Sequence, residues 1–276
     1  MTGPTATLDL RPEADGRVLV LTLDHGKANE IGQAWIAGLA SLVQRLEAGE
    51  VRALVTRSVR VTAGGRPVFS AGADVVERRG WDDERILAHV GTQRAVMGRL
   101  ARAPVLHLCV VDGLALGWGL ELCLCADYLL VGPQARFGLP ETGLGIVPGA
   151  GGTARLAERV GSGQALRLGM AGELIDAAEA LRIGLAHEAC DGGAAGLTRA
   201  LALARRVADR SPTAVAAFKA AILAGRGLPE DAREALEERA YAHCVRSGEA
   251  ARGRAGFEAI RAGRTVDWGP WEPFEP

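Results

Sequence analysis

The sequence predicts an α/β protein that turns all-helical in its second half, and two observations predict it. Strand-like and helix-like runs alternate through the first 111 residues. Beyond Gly151 only helical spacing recurs. The run VLVLTL at 18–23 is rich in β-formers and follows the turn signal Asp15-Gly16; residues 7–10 pair with it as a hairpin in this reading. Across 31–46, Ile31, Trp35, Leu39, Leu42, Val43 and Leu46 recur at helical spacing, and 51–56 forms a second strand. A loop at 62–67 leads to Val68-Phe69 and then to the small-residue turn Ser70-Ala71-Gly72-Ala73. Residues 83–102 read as a helix, with Ile86, Val90, Val96 and Leu100 among its apolar positions, and Pro104 opens a buried strand over 105–111. Helical patterns then cover 154–160, 164–170, 177–183, 197–208, 213–223 and 231–246. The last two have natural starts at Ser211-Pro212 and Pro229, because proline is tolerated in a first helical turn. The Pro- and aromatic-rich end WGPWEPFEP (268–276) reads as extended, packed on the body or on a neighbouring subunit.

Composition excludes several classes. The 276 residues suit one large domain, or a main domain with a smaller appendage. With 48% hydrophobic and 24% charged residues the chain can build a core, and a net charge of −1 without runs of one sign gives no footprint for nucleic acid. Basic residues are almost all Arg; only Lys27 and Lys219 are lysines, which reads as coding bias. The five cysteines are odd in number and sit in apolar company, so reduced thiols in a cytoplasmic protein are expected rather than disulfides. Cys123-x-Cys125 has no flanking His or second Cys pair to make a zinc site. The N-terminal stretch 1–16 lacks the pattern of a signal peptide. The most apolar stretch, 105–131, is interrupted by His107, Asp112, Glu121 and Asp127, so no membrane span is expected.

Three segments stand out chemically. In Phe69-Ser70-Ala71-Gly72-Ala73-Asp74, small residues after a strand let backbone amides approach a ligand, and Asp74 is placed to cap a following helix; taken alone, the segment also reads as an ordinary strand-to-helix turn. In VDGLALGWGLE (111–121), glycines bracket Trp118 where a helix begins, and free amides there suit a developing oxyanion. Glu121 is an isolated carboxylate in an apolar run: either it is buried with a raised pKa, or it lies on the wet side of the helix. In FGLPETGLGIVPGAGGT (137–153), Glu141 follows a proline and Gly151-Gly152 opens another helix. The run 149–154 fits a loose G-x-G-x-x-A pattern but lacks the preceding strand that a dinucleotide site needs.

FSAGAD, VDGLALGWGLELCLCAD and FGLPETGLGIVPGAGGTARL, in this order and separation, resemble the crotonase (enoyl-CoA hydratase/isomerase) family, with a likeness running from about residue 18 to residue 263. The resemblance implies a crotonase-type spiral of ββα units followed by a C-terminal helical trimerisation region. It divides the chain into a core with an acyl-CoA site (1–200) and a helical region with an extended tail (201–276). It implies an enoyl-CoA hydratase-type lyase, with Glu121 and Glu141 as catalytic carboxyls and the amides of Ala71 and Trp118 as the oxyanion hole. Lys27, Ala28, Gly72, Ala73, Asp74 and Gly117 are implied to bind substrate, with Asn29 also near the nucleotide part of coenzyme A. Glu121 would activate the water and Glu141 deliver the proton. No metal or further cofactor is implied, coenzyme A being part of the substrate; the expected assembly is a homotrimer or dimer of trimers, with no nucleic-acid or membrane partner. Trp118 departs from the family, which usually has glycine there, and its ring either shapes the acyl pocket or packs into the core. Arg261 or Arg264 replaces the usual lysine near the phosphates, or else lies on a solvated helix end. The five histidines match no catalytic position. Enoyl-CoA isomerase and acyl-CoA decarboxylase remain alternatives, as does a non-catalytic binding protein, against which the near-neutral charge and the two carboxylates argue.

Overall fold

The computed structural model describes residues 8–276. Thr7 of the expected hairpin, and the first seven residues of the stretch read as lacking a signal peptide, lie outside the described residues. Strand β1 (Asp9–Glu13) pairs antiparallel with β2 (Val18–Leu23), and α1 (Gln33–Glu47) follows, burying the predicted stripe from Trp35 to Leu46. Three units of two strands and one helix come next. The first is β3 (Ala53–Ser58), β4 (Val68–Ser70) and α2 (Asp83–Arg102). The second is β5 (Leu106–Val111), β6 (Leu114–Leu116) and α3 (Trp118–Cys123). The third is β7 (Tyr128–Val131), β8 (Arg136–Gly138) and α4 (Gly152–Ala171), with a short 3₁₀ turn, Glu141–Leu144, before α4. Short elements β9 (Ile175–Asp176), α5 (Ala177–Arg182) and β10 (Glu188–Ala189) lead to α6 (Gly193–Ala208). The chain ends in α7 (Pro212–Ala224), α8 (Glu230–Arg246), α9 (Glu249–Ala255) and α10 (Phe257–Arg261).

Each unit sends its first strand to one sheet, ordered β1-β2-β3-β5-β7-β10, and its second to another, ordered β4-β6-β8-β9. Neighbours from successive units pair in parallel, Leu54 opposite His107 and Ala115 opposite Phe137 for example. Parallel neighbours need a crossover, and the second strand plus helix supplies it, so the chain advances as a spiral of ββα units. The large sheet is buried on both faces. Val18, Val20, Val55, Leu108 and Val110 face Ala200, Ala204 and Ala208 of α6, while Leu19, Leu21, Leu54, Cys109 and Val111 face the main core. Two-sided burial explains why VLVLTL and LHLCVV are continuous apolar runs rather than alternating ones. Residue 200, where the sequence reading divides the chain, lies within α6, which packs on β3 and β5.

Several sequence expectations are refined. The two helices read at 154–160 and 164–170 are present within α4, separated at Gly161, whose backbone is non-helical with φ 77° and ψ 158°. Asp74 caps a turn rather than a helix: its carboxylate accepts from the amides of Val76 and Glu77, and α2 begins only after Asp82, whose own side chain caps it. The C-terminal segment packs on the body, with Trp268 Nε1 donating to Asp209 O at 2.9 Å and Trp271 lying against Gly49. No helix among the described residues is long and apolar enough to cross a membrane.

Asn29 ties the β2, β3 and β4 ends together. It sits at φ 53°, fully buried, where its Nδ2 donates to Ser58 Oγ and Phe69 O at 2.9 Å and its Oδ1 accepts from the His25 amide at 2.9 Å. That side chain therefore belongs to the scaffold, not to the nucleotide contact expected of it. Asn29→Ala should cost about 2–4 kcal/mol in urea unfolding, because the buried groups it serves lose their partners. A loss below about 0.5 kcal/mol would contradict this role.

Candidate active site

Strands β4, β6 and β8 lie side by side and parallel, so their C-terminal ends open on one edge of the small sheet. In open parallel sheets that edge is where ligands bind. Each strand end delivers one site segment: Ala71 to Asp74 after β4, Gly117 and α3 after β6, and Glu141 after β8.

Gly117 turns the chain from β6 into α3 with φ 50° and ψ −119°, a backbone conformation that side-chain-bearing residues rarely adopt. A Cβ there would also lie 2.9 Å from Glu141 Oε1, so the glycine allows the Glu141 carboxyl to press against the start of α3. Glu121, one turn into α3, is only 2% exposed, which settles the choice between a buried and a wet-side carboxylate. Its Oε1 accepts from the amides of Ala150 at 2.8 Å and Gly152 at 2.7 Å. The glycine pair makes this possible. Gly151 takes φ 102° as the cap of α4, and a Cβ on Gly152 would come 2.8 Å from Glu121 Cγ and Oε1. The G-x-G-x-x-A-like run thus spends its amides on a carboxyl, not on a phosphate. Burial pushes the Glu121 pKa up to about 7, the nearby Glu141 raises it further, and the two amides and Arg155 oppose the rise.

Glu141 is 9% exposed, and its Oε2 is buried without a hydrogen-bond partner among the described residues. Burial raises its pKa as well. The two carboxyls therefore differ: one is clamped, the other has a free oxygen.

The amides of the first segment are distributed unevenly. Ala71 N–H donates to Ala28 O at 2.9 Å, Gly72 N–H to Ser70 Oγ at 3.1 Å and Asp74 N–H to Ile31 O at 3.0 Å. Ile31 and Ala73 form an isolated parallel bridge, a geometry in which the bonds run from the residues flanking Ala73 and its own amide faces the other way. Ala73 N–H has no partner among the described residues. The assignment of an oxyanion donor to Ala71 is corrected accordingly: that amide is committed to Ala28, and Ala73 offers the free one. Gly72 brings this segment against α3, since a Cβ there would meet Leu116 O at 2.9 Å and Trp118 N at 3.5 Å. Trp118 N–H is the first amide of α3 and so has no acceptor within the helix.

The Trp118 ring lies in the core, 3% exposed, edge-on to Trp35 with centroids 6.0 Å apart. Trp35 in turn stacks on His25. Of the remaining predicted residues, Lys27 is exposed, and the amides of Lys27 and Ala28 donate to Glu30 Oε2 at 3.0 Å. Arg261 pairs with Glu258 at 3.7 Å on the surface. His107 and His187 bond within the fold, to Thr56 Oγ1 and the Leu129 amide. The sequence reading missed the Ala150 and Gly152 amides as partners of Glu121, although the paired glycines marked the place.

Residues 13–264 match the enoyl-CoA hydratase/isomerase family. The chain is 35% identical over 242 residues to mouse enoyl-CoA hydratase domain-containing protein 2, mitochondrial, covering 86% of this chain and 80% of that protein. It is 34% identical to human methylglutaconyl-CoA hydratase, mitochondrial, over 90% of this chain and 72% of the relative. The crystal structure of an enoyl-CoA hydratase from Bacillus anthracis superposes with a TM-score of 0.84 at 29% identity, over 95% of this chain and 98% of that one. The chain belongs to the enoyl-CoA hydratase/isomerase (crotonase) family, and its mixed α/β architecture is the crotonase fold.

A buried carboxyl raised from 4.5 to about 7 stabilises the folded state most when protonated, and that contribution is lost as pH rises between those values. Between pH 4.5 and 7 the wild type should therefore lose on the order of 3 kcal/mol of stability relative to Glu121→Gln, measured by denaturant unfolding at each pH. A difference that stays flat across this window would show that Glu121 titrates elsewhere.

Proposed function

We propose that the protein is an enoyl-CoA hydratase-type lyase, adding water across the 2,3 double bond of an acyl-CoA thioester or removing it in reverse. The observation that carries this reading is the pair of buried, unlike carboxyls at the start of α3, beside two amides without acceptors among the described residues. In the proposed reaction the thioester oxygen accepts hydrogen bonds from the Ala73 and Trp118 amides, which stabilise the negative charge it gains as water attacks Cβ. Glu121, ionised, takes a proton from the water, and the resulting hydroxyl bonds to Cβ. Glu141, protonated, delivers its proton to Cα as the enolate collapses. A pKa near 7 suits Glu121 to hold and release a proton at neutral pH, and burial raises the pKa of Glu141 in the same direction.

The other assignments follow as parts of the same proposal. Gly72, Ala73 and Gly117 line the thioester, while Lys27, Ala28 and Asp74 border the path of the coenzyme. The chemistry uses side chains and amides alone, with coenzyme A entering as part of the substrate. A homotrimer or dimer of trimers would cover apolar side chains that the single chain leaves open, such as Phe218 and Ile222 on α7 and Tyr241 on α8. The buried free thiols of Cys109, Cys123 and Cys125 support a reducing, cytoplasmic setting.

The test is the ultraviolet absorbance of the enoyl thioester. Crotonyl-CoA or a branched analogue should lose it on incubation with the protein. Glu121→Gln and Glu141→Gln should each reduce turnover at least ~100-fold, the scale of a positioned acid or base. Turnover of 3-enoyl or malonyl-type thioesters alone would replace hydration by isomerisation or decarboxylation, and full activity in either variant would remove that carboxyl from the mechanism.

A further inference from the structure

Arg78 carries hydrogen-bond donors that the described residues do not pair. Its Nε and Nη2 atoms are buried and have no hydrogen-bond partner among the described residues. A guanidinium stays charged in proteins, and donors left buried and unmade cost free energy that a partner would restore. The nearest acids are otherwise engaged. Asp74 Oδ1 accepts from the amides of Val76 at 2.9 Å and Glu77 at 3.0 Å, and the Glu77 carboxylate accepts from the Gln33 amide at 2.9 Å. Both act on Arg78 through their field.

The groups around Arg78 are polar and withdrawn from solvent. His89 and Gln93 are buried on α2, bonded to each other at 2.9 Å. Trp81 meets the His89 ring edge-on at 5.1 Å, and Arg85 lies over the Trp81 ring. Burial, with Arg78 and Arg85 nearby, lowers the His89 pKa to about 4, so the ring is neutral at pH 7 and adds no competing cation.

This cluster is connected to two segments of the site. Arg78 lies in the turn that continues from Ala73, whose amide is free. His89 precedes Val90, which packs so closely on Gly149 that a Cβ there would come within 2.6 Å of it, and Arg94 Nε bonds Gly149 O at 2.9 Å. Gly149 adjoins Ala150, whose amide holds Glu121. The Arg78–His89–Gln93 cluster is therefore joined through the chain to Ala73 and, through Val90 and Arg94 on Gly149, to the segment that holds Glu121.

We propose that Arg78 binds a carboxylate at the far end of the acyl chain, making the preferred substrates monothioesters of unsaturated dicarboxylic acids. This rests on the hydratase reading, whose site it deepens, and a planar guanidinium suits such a group because it can bind both carboxylate oxygens.

Calorimetric binding of unreactive, saturated thioesters tests it: glutaryl-CoA against pentanoyl-CoA, and adipyl-CoA against hexanoyl-CoA. In at least one pair the charged member should bind on the order of tenfold more tightly. Arg78→Met should bring that ratio close to one, and Arg78→Lys, the milder variant should the first fail to fold, should reduce it. Equal binding within both pairs, no binding of any thioester, or a ratio unchanged in a folded variant overturns the proposal. Hydration of the corresponding 2-enoyl thioesters, assayed in parallel, separates the two claims. A charged-chain preference without hydration would leave Arg78 in place and remove the hydratase reading; hydration without that preference would do the opposite.

Discussion

The site depends on one buried contact: Glu121 Oε1 held by the amides of Ala150 and Gly152. A carboxyl this far from water is costly to ionise, and two charge-assisted hydrogen bonds return part of that cost. Burial on one side and the two amides on the other leave Glu121 with a pKa of about 7, ready for either protonation state at neutral pH. The same contact fixes geometry. It locks the start of α4 to α3, leaves the second carboxyl oxygen outside the clamp, and requires glycine at 152 because any Cβ would strike the glutamate.

The spiral explains how separate stretches of chain reach this contact. Successive units place β4, β6 and β8 in parallel, so residues just beyond three strand ends meet at one edge although nearly seventy positions separate Ala73 from Glu141. Burial of the large sheet on both faces, by α6 on one side and the main core on the other, holds that edge in place. The Trp118 ring adds a local anchor. Packed against Trp35, it ties the first residue of α3 to α1, while its amide remains at the site.

Side-chain chemistry was legible in the sequence where it contrasted with its surroundings. Glu121 and Glu141 were visible because isolated carboxylates in apolar or glycine-rich company invite a reason, and the sheet strands were visible as apolar runs. Backbone chemistry was far less legible. Whether Ala71 or Ala73 has a free amide depends on how the segment pairs with Ala28 and Ile31, more than forty residues earlier, and two alanines carry no sign of it. The direction of the Trp118 ring and the partner of the Gly151-Gly152 turn were likewise decided by tertiary packing. Asn29 shows the converse, a residue in a segment expected to touch ligand whose side chain is consumed by the scaffold.

The most direct measurement is a crystal structure with an unreactive acyl-CoA bound. The thioester oxygen should lie within about 3 Å of both the Ala73 and Trp118 nitrogens, with the Glu121 and Glu141 carboxyls over the adjoining two carbons. A thioester held elsewhere, or carbons reached by neither carboxyl, would contradict this arrangement.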